Sequence, residues 1–102
     1  MTAVRISHNA DRARNEARVG PKMAGIARFR QAKDLIVFTH TEVDPAYQGQ
    51  QVGSALARAA LNDVRRTGRK VLPLCPFIKG WIEHHREYVD LLDGEPPSTA
   101  ID

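Results

Sequence analysis

His40 and Glu42 stand two residues apart, and on an extended chain that spacing puts both side chains on one face, where an imidazole and a carboxylate can take or pass a proton. Each also has a plainer reading, His40 as a hydrogen-bonded, half-buried ring and Glu42 as a solvated carboxylate at a strand end. Cys75 is the chain's one cysteine. It precedes Pro76 and a helix-like stretch, so it could donate a proton, act as a nucleophile if the helix start stabilises its thiolate, or simply fill a small buried space. His84 and His85 are adjacent, and adjacent helical residues point about 100° apart, too far to chelate one ion together. No second cluster offers the remaining ligands, so no metal site is expected.

The segment from Glu42 to Leu56 joins an apolar β-like run to an amphipathic helix through a loop carrying Gly49 and Gly53. A helix start leaves backbone N–H groups without intrahelical partners and carries partial positive charge, so an anionic group can dock there without Lys or Arg. Glycine lets the backbone come close to such a group. It is also common in strand-to-helix turns for conformational reasons alone. Gln48, Gly49, Gln50, Gln51, Val52, Gly53 and Ser54 are the expected lining of this cradle.

The elements that must hold these residues can be read along the chain. Val4 to His8 and Ala13 to Val19 read as strands, Gly20-Pro21 as a turn, and Lys22 to Arg30 as a third strand bounded by the Lys33-Asp34 break. Leu35-Ile36-Val37-Phe38 is apolar on both sides, which suits a central strand covered on both faces. From Val52, the residues Leu56, Ala59, Ala60 and Val64 recur at helical spacing, with Arg58, Asn62, Arg65 and Arg66 opposite, and Gly68 stops the helix. Lys70 to Cys75 is the next strand, although Pro73 cannot donate to a ladder and belongs at an edge or gap. Phe77 to His85 and Tyr88 to Leu92 read as short helices. Gly94 to Ser98 reads as a frayed tail.

A chain of 102 residues with 42% hydrophobic content suits one compact core. The lone cysteine excludes an internal disulfide, and no apolar run approaches the roughly 20 residues that span a bilayer. No cleavable leader is visible at Met1 to Arg5, so a reducing cytoplasmic setting is the expectation. Net charge is +3 with a pI near 9.4. That mild basic bias is spread from Arg5 to Arg86 without interleaved stacking aromatics, which argues against a nucleic-acid partner.

Val43-Asp44-Pro45 followed by Gln48 through Gly53 resembles the acyl-CoA-binding motif of the GNAT superfamily of N-acetyltransferases, with Gln51 where the family's first glycine usually stands. If the backbone there needs a positive φ, glutamine is strained. Thr39-His40-Thr41-Glu42-Val43, Leu74-Cys75-Pro76-Phe77 and the stretch from His85 to Leu91 are similar to segments of a short single-domain subfamily. The resemblance spans about Arg12 to Leu92. It implies an α/β (α+β) fold, a minimal GNAT-like domain with a mixed, mainly antiparallel sheet splayed at its centre and flanked by helices. That domain occupies residues 1–93, with residues 94–102 as a tail.

Arg12 to Val43 reads as strands only, so the helices that usually roof the acceptor side are expected to be absent, leaving that side open. The resemblance further implies acetyl-CoA as cofactor, with its pantetheine arm in the splay. The Val43 N–H would face the developing oxyanion, Cys75 would lie near the thioester sulfur, and His40 or Glu42 would deprotonate an amine of unknown identity. Trp81 and Ile82 fall where the superfamily's usual Phe-Tyr pair would stand, so the expected acid is missing from its place. Tyr88 and Trp81 read as core or groove lining. Trp81, Ile82 and Val89 together read as an apolar wall that a second copy could cover. The expected activity is therefore acetyl-CoA-dependent N-acetyl transfer. A non-catalytic acyl-CoA-binding or sensing module is the alternative, and a basic nucleic-acid adaptor the third reading.

Overall fold

Four strands succeed one another through tight turns before any helix forms. They are β1 (Val4–Asn9), β2 (Arg14–Val19), β3 (Lys22–Ala32) and β4 (Leu35–Val43). The turns use left-handed residues where the chain must reverse, including Gly20 at φ 58°. Next come α1 (Val52–Arg66), β5 (Lys70–Pro73), α2 (Pro76–His84) and a 3₁₀ segment, Arg86–Leu91. The structure, a computed structural model, describes residues 3–93. The tail read at Gly94 to Ser98 lies outside the described residues.

The sheet runs in the order β1-β2-β3-β4-β5, antiparallel throughout except for β5, which lies parallel to β4. This is the mixed, mainly antiparallel sheet expected. β5 is shorter than the reading of Lys70 to Cys75, because the chain leaves the sheet after Pro73. Pairing with β4 ends at Phe38↔Pro73, and the Phe38 carbonyl then accepts from both Leu74 N–H (2.9 Å) and Cys75 N–H (3.0 Å). Beyond that point β4 continues to Val43 without a strand on its β5 side. The two strands diverge there, as the resemblance implied.

A bulge decides which face each β4 side chain takes. Phe29 pairs with Phe38 and Arg28 with His40, so Thr39 is the extra residue. Ile36 and Phe38 bury in the core, and Thr41 and Val43 past the bulge return to that same side, facing the helices. His40 and Glu42 are turned to the opposite face, beside Arg28 and Ile26.

α1 and α2 share the first face. Ala57, Ala60, Leu61 and Val64 of α1 and Ile78, Trp81 and Ile82 of α2 form one cluster with Phe29, Ile36, Phe38 and Val71, closed by Tyr88 and Leu91 of the 3₁₀ segment, while Val52 and Leu56 pack in a second cluster against Ala17, Ala24 and Ala27. The buried stripe of α1 is Val52, Leu56, Ala57, Ala60, Leu61 and Val64. Ala57 and Leu61 thus replace Ala59 in the expected pattern. Trp81 and Ile82 are only 7% and 1% exposed within their own chain, so they do not form the outward apolar wall expected for a second copy. Among the described residues no helix is long and apolar enough to cross a membrane.

The other face carries no helix among the described residues. The turn between β1 and β2 is Ala10 to Ala13, and nothing helical intervenes there to roof it. Instead the face is tiled by long polar side chains around Glu16, which is only 4% exposed although the sheet above it is bare. Its carboxylate accepts from Arg14 Nε at 2.7 Å, Arg18 Nη1 at 2.9 Å and Asn9 Nδ2 at 3.1 Å. The Arg14 hydrogen bond first, and the Arg18 one after it, hold its carboxyl down from 4.5 to about 2.

A carboxyl whose folded value lies below its unfolded one adds stability above the unfolded value and loses it as pH falls through the folded value. Glu16→Gln is therefore expected to melt below the parent at neutral pH, with the gap closing between pH 4.5 and about 2. Thermal unfolding midpoints across that range read this directly. A gap that stays constant down to pH 2 would show that the ionised carboxylate contributes nothing.

Candidate active site

The loop after β4 is shaped by its own residues. Asp44 Oδ1 accepts the Ala46 N–H at 2.8 Å and Pro45 occupies the first position of a 3₁₀ turn, Pro45–Tyr47. Gly49 takes φ 83°, and Gln51 takes φ 64°, ψ 24°, as the residue before α1. Gln51 therefore adopts the left-handed conformation that the sequence position suggested a glycine would fill. Its side chain makes no capping hydrogen bond, and the first turn holds no acidic residue. The first intrahelical bond is donated by Ala55 N–H to Gln51 O at 3.0 Å. The N–H groups of Val52, Gly53 and Ser54 precede it and have no intrahelical acceptor.

Those N–H groups open onto a groove of about 730 Å³ between the diverging end of β4, the start of α1 and one side of α2. Thr41 and Val43 form its floor, Gln48, Gly49, Gln51, Val52, Gly53 and Ser54 one wall, and Phe77, Trp81 and His85 the other. Gln50 is exposed beside it, outside the lining. Cys75 lies just beneath. It is 3% exposed, and its thiol donates to Thr41 Oγ1 at 3.3 Å. Tyr88, the tyrosine nearest α2 in sequence, is buried and donates its hydroxyl to Asn62 Oδ1 at 2.7 Å.

The α2 wall is a stacked aromatic assembly that sequence reading did not foresee. Trp81 Nε1 donates to Ser54 Oγ at 3.0 Å, tying α2 to the first turn of α1. The His85 ring stacks on Trp81 with centroids 3.7 Å apart and planes 9° from parallel. Its Nδ1 lies 2.8 Å from Trp81 O, which assigns the proton to Nδ1 in the neutral ring and leaves Nε2 as acceptor. The four-residue step from Trp81 to His85 was the available signal, since it puts both on one helical face. Phe77 packs over Gly53, where an added Cβ would come within 2.9 Å of the ring's Cζ.

His40 and Glu42 do not line this groove. Nε2 of His40 lies 3.0 Å from Glu42 Oε2 on the opposite sheet face, with both side chains more than half exposed. Glu42 borders a cleft of about 620 Å³ on that face, together with Arg14, Ile26 and Arg28. Val43 borders both cavities. The groove and the cleft thus lie back to back across the free end of β4.

The profile of the family described as GCN5-related N-acetyl-transferase matches residues 14–91. The chain belongs to this family. A comparison with curated proteins finds no match. Among solved structures, a GCN5-like protein from Staphylococcus aureus aligns over 100% of both chains at 21% identity and a TM-score of 0.71. The ribosomal-protein-S18-alanine N-acetyltransferase from Escherichia coli is 24% identical with a TM-score of 0.57, over 59% of this chain. This chain spans 39% of that enzyme's length. Both likenesses are of fold, and the minimal GNAT architecture follows from them and from the strand order.

Two substitutions test the groove's geometry. Left-handed backbone costs a non-glycine residue roughly 1–2 kcal/mol, partly offset by glycine's greater chain entropy. Gln51→Gly is expected to raise stability by about 1 kcal/mol, seen as a higher urea midpoint at unchanged slope. An unchanged or lower midpoint would remove the claim of strain. Gly53→Ala is expected to be less favourable in the parent than in a Phe77→Ala background, where the helix propensity of alanine is gained without the ring contact, a coupling of about 1 kcal/mol. Equal effects in both backgrounds would mean the ring does not set the requirement for glycine.

Proposed function

We propose that the chain binds acetyl-CoA along the groove and transfers the acetyl group to an amine. The observation that carries this reading is the uncapped start of α1, where Val52, Gly53 and Ser54, whose N–H groups have no intrahelical acceptor, line a groove that ends at the free edge of β4. Without an acidic residue or side-chain cap in its first turn, this helix start suits a diphosphate, and the backbone from Gln48 to Gln51 completes the cradle. The apolar sides of Val43 and Phe77 suit a pantetheine arm.

Bound there, acetyl-CoA would supply a thioester carbonyl open to attack by nitrogen. Free backbone on β4 at Val43 is the available donor for the oxyanion. His40 takes the proton of the attacking amine, and Glu42, 3.0 Å away, orients the ring. Cys75 sits one contact below the groove, its proton directed at Thr41 Oγ1, which suits a proton donor better than an exposed nucleophile. The rival reading, an acyl-CoA sensor without turnover, draws on the strained Gln51 and on the absence of a tyrosine from α2. Release of free thiol on addition of an amine separates the two.

Ser54→Asp tests the cradle without harming the helix. An aspartate in the first turn is favoured by the helix dipole and can still accept from Trp81 Nε1, so the thermal midpoint is expected to hold or rise. Its negative charge would oppose a diphosphate, and calorimetric titration is expected to show acetyl-CoA affinity lower by roughly tenfold or more. Unchanged affinity would mean the helix start is not the phosphate site.

A further inference from the structure

The bare sheet face is arranged in cross-strand rungs. One rung reads Asn9, Arg14, Arg28, His40, and the next Ser7, Glu16, Ile26, Glu42. Arg14 and Arg28 are therefore direct cross-strand neighbours, and like charges so placed repel. Glu16 does not relieve both. Its oxygens are taken by Arg14, Arg18 and Asn9, and among the described residues no carboxylate pairs with Arg28. The remaining acid on these rungs, Glu42, is engaged with His40. Arg5 and Arg30 add further exposed guanidinium groups to the same face. Arg14, Arg28 and Glu42 all border the 620 Å³ cleft that meets the groove at Val43, and so does Asp44, whose carboxylate is turned to the Ala46 N–H at 2.8 Å.

We infer that the acceptor is a small amine bearing an anionic group, a carboxylate or a phosphate, which Arg28 with Arg14 holds in this cleft while the amine lies toward His40. This rests on the acetyl-transfer reading and adds the substrate class. An anion between the two guanidinium groups relieves their repulsion and matches the planar, multi-donor geometry of arginine. Its neighbour on the rung is His40, so binding the acid also sets the distance to the proton acceptor. An amine lacking the acid leaves Arg28 unmatched. A flat nucleic-acid surface is the weaker account, because among the described residues no Phe, Trp or Tyr side chain on this face offers a base-stacking platform.

The test compares thiol release from acetyl-CoA with n-butylamine, 4-aminobutyrate and phosphoethanolamine as acceptors. At least one acid-bearing amine is expected to exceed n-butylamine in kcat/KM by roughly tenfold or more, and comparing the two acids separates carboxylate from phosphate. Arg28→Gln is expected to collapse that ratio toward one, chiefly through KM. Equal kcat/KM for all three acceptors, or a ratio untouched by Arg28→Gln, overturns the inference. So does saturable binding of a single-stranded oligonucleotide lost in Arg28→Gln, without preference among the amines. If no amine is turned over, NMR titration of the arginine side-chain N–H signals with the same three amines decides the site separately. Shifts at Arg28 with the acid-bearing amines alone support the anion site while the transferase reading fails, and no shift overturns both.

Discussion

The closeness of α1 to the sheet is the constraint on which the site depends, and Gly25 makes it possible. A Cβ at that position would come within 2.8 Å of the Glu42 carbonyl oxygen and 3.2 Å of both Leu56 and Val52. Around it the sheet presents Ala17, Ala24 and Ala27, and the helix fills the shallow surface with Val52 and Leu56. Small residues on the strands let the first turn of α1 lie against β3 and β4, and interiors of this density leave little slack for an added methyl. The unsatisfied N–H groups of that turn are consequently held beside the free end of β4. A helix seated farther out would keep its unsatisfied N–H groups but lose its register with the strand.

The second requirement is that β5 stop early. Pro73 ends the strand and Pro76 opens α2, so the chain has no run of free N–H groups with which to follow β4 further. The Phe38 carbonyl absorbs the last two donors, from Leu74 and Cys75, and the ladder closes without leaving that carbonyl unpaired. Past this point the β5 side of β4 is open. The bulge at Thr39 then apportions its side chains, Thr41 and Val43 to the groove, His40 and Glu42 to the opposite face, where Glu42 borders the cleft. A single strand thereby borders two cavities of different character, one helix-lined and partly apolar, the other open and lined by the charged side chains Arg14, Arg28, Glu42 and Asp44.

Much of this was legible in the sequence because it is local. Turn residues, β-branched runs and the stripe beginning at Val52 point to four strands, the first helix and the loop between them, and the place of Gln51 where a glycine is usual points to its left-handed backbone. What escaped depends on partners distant in sequence. No local signal announces that Thr39 is a bulge, since its consequence is visible only once Phe29 and Arg28 are paired across the ladder. Alternation correctly placed His40 and Glu42 together but could not say which face they would share. Glu16 reads as an ordinary surface acid until Asn9, Arg14 and Arg18 are brought around it. The stacking of His85 on Trp81, and the bond from Trp81 to Ser54, likewise join segments that no single periodicity connects.

The absence of roofing helices among the described residues explains why the cleft face is so basic. A five-stranded sheet with helices on one side must protect its other side without an apolar layer, because a large exposed apolar patch invites association. Long arginine side chains can cover sheet surface with their methylene stems while the guanidinium groups stay hydrated. Such tiling accumulates like charge, and Glu16 answers it at the centre with a carboxylate made strongly acidic by the arginines beside it. One carboxylate cannot balance every arginine of the array. The excess falls at Arg5, Arg28 and Arg30, and of these Arg28, between Arg14 and His40, lies nearest the open end of β4. The same economy that lets a short chain keep a bare sheet face thus leaves uncompensated positive charge beside the cleft at the free end of β4.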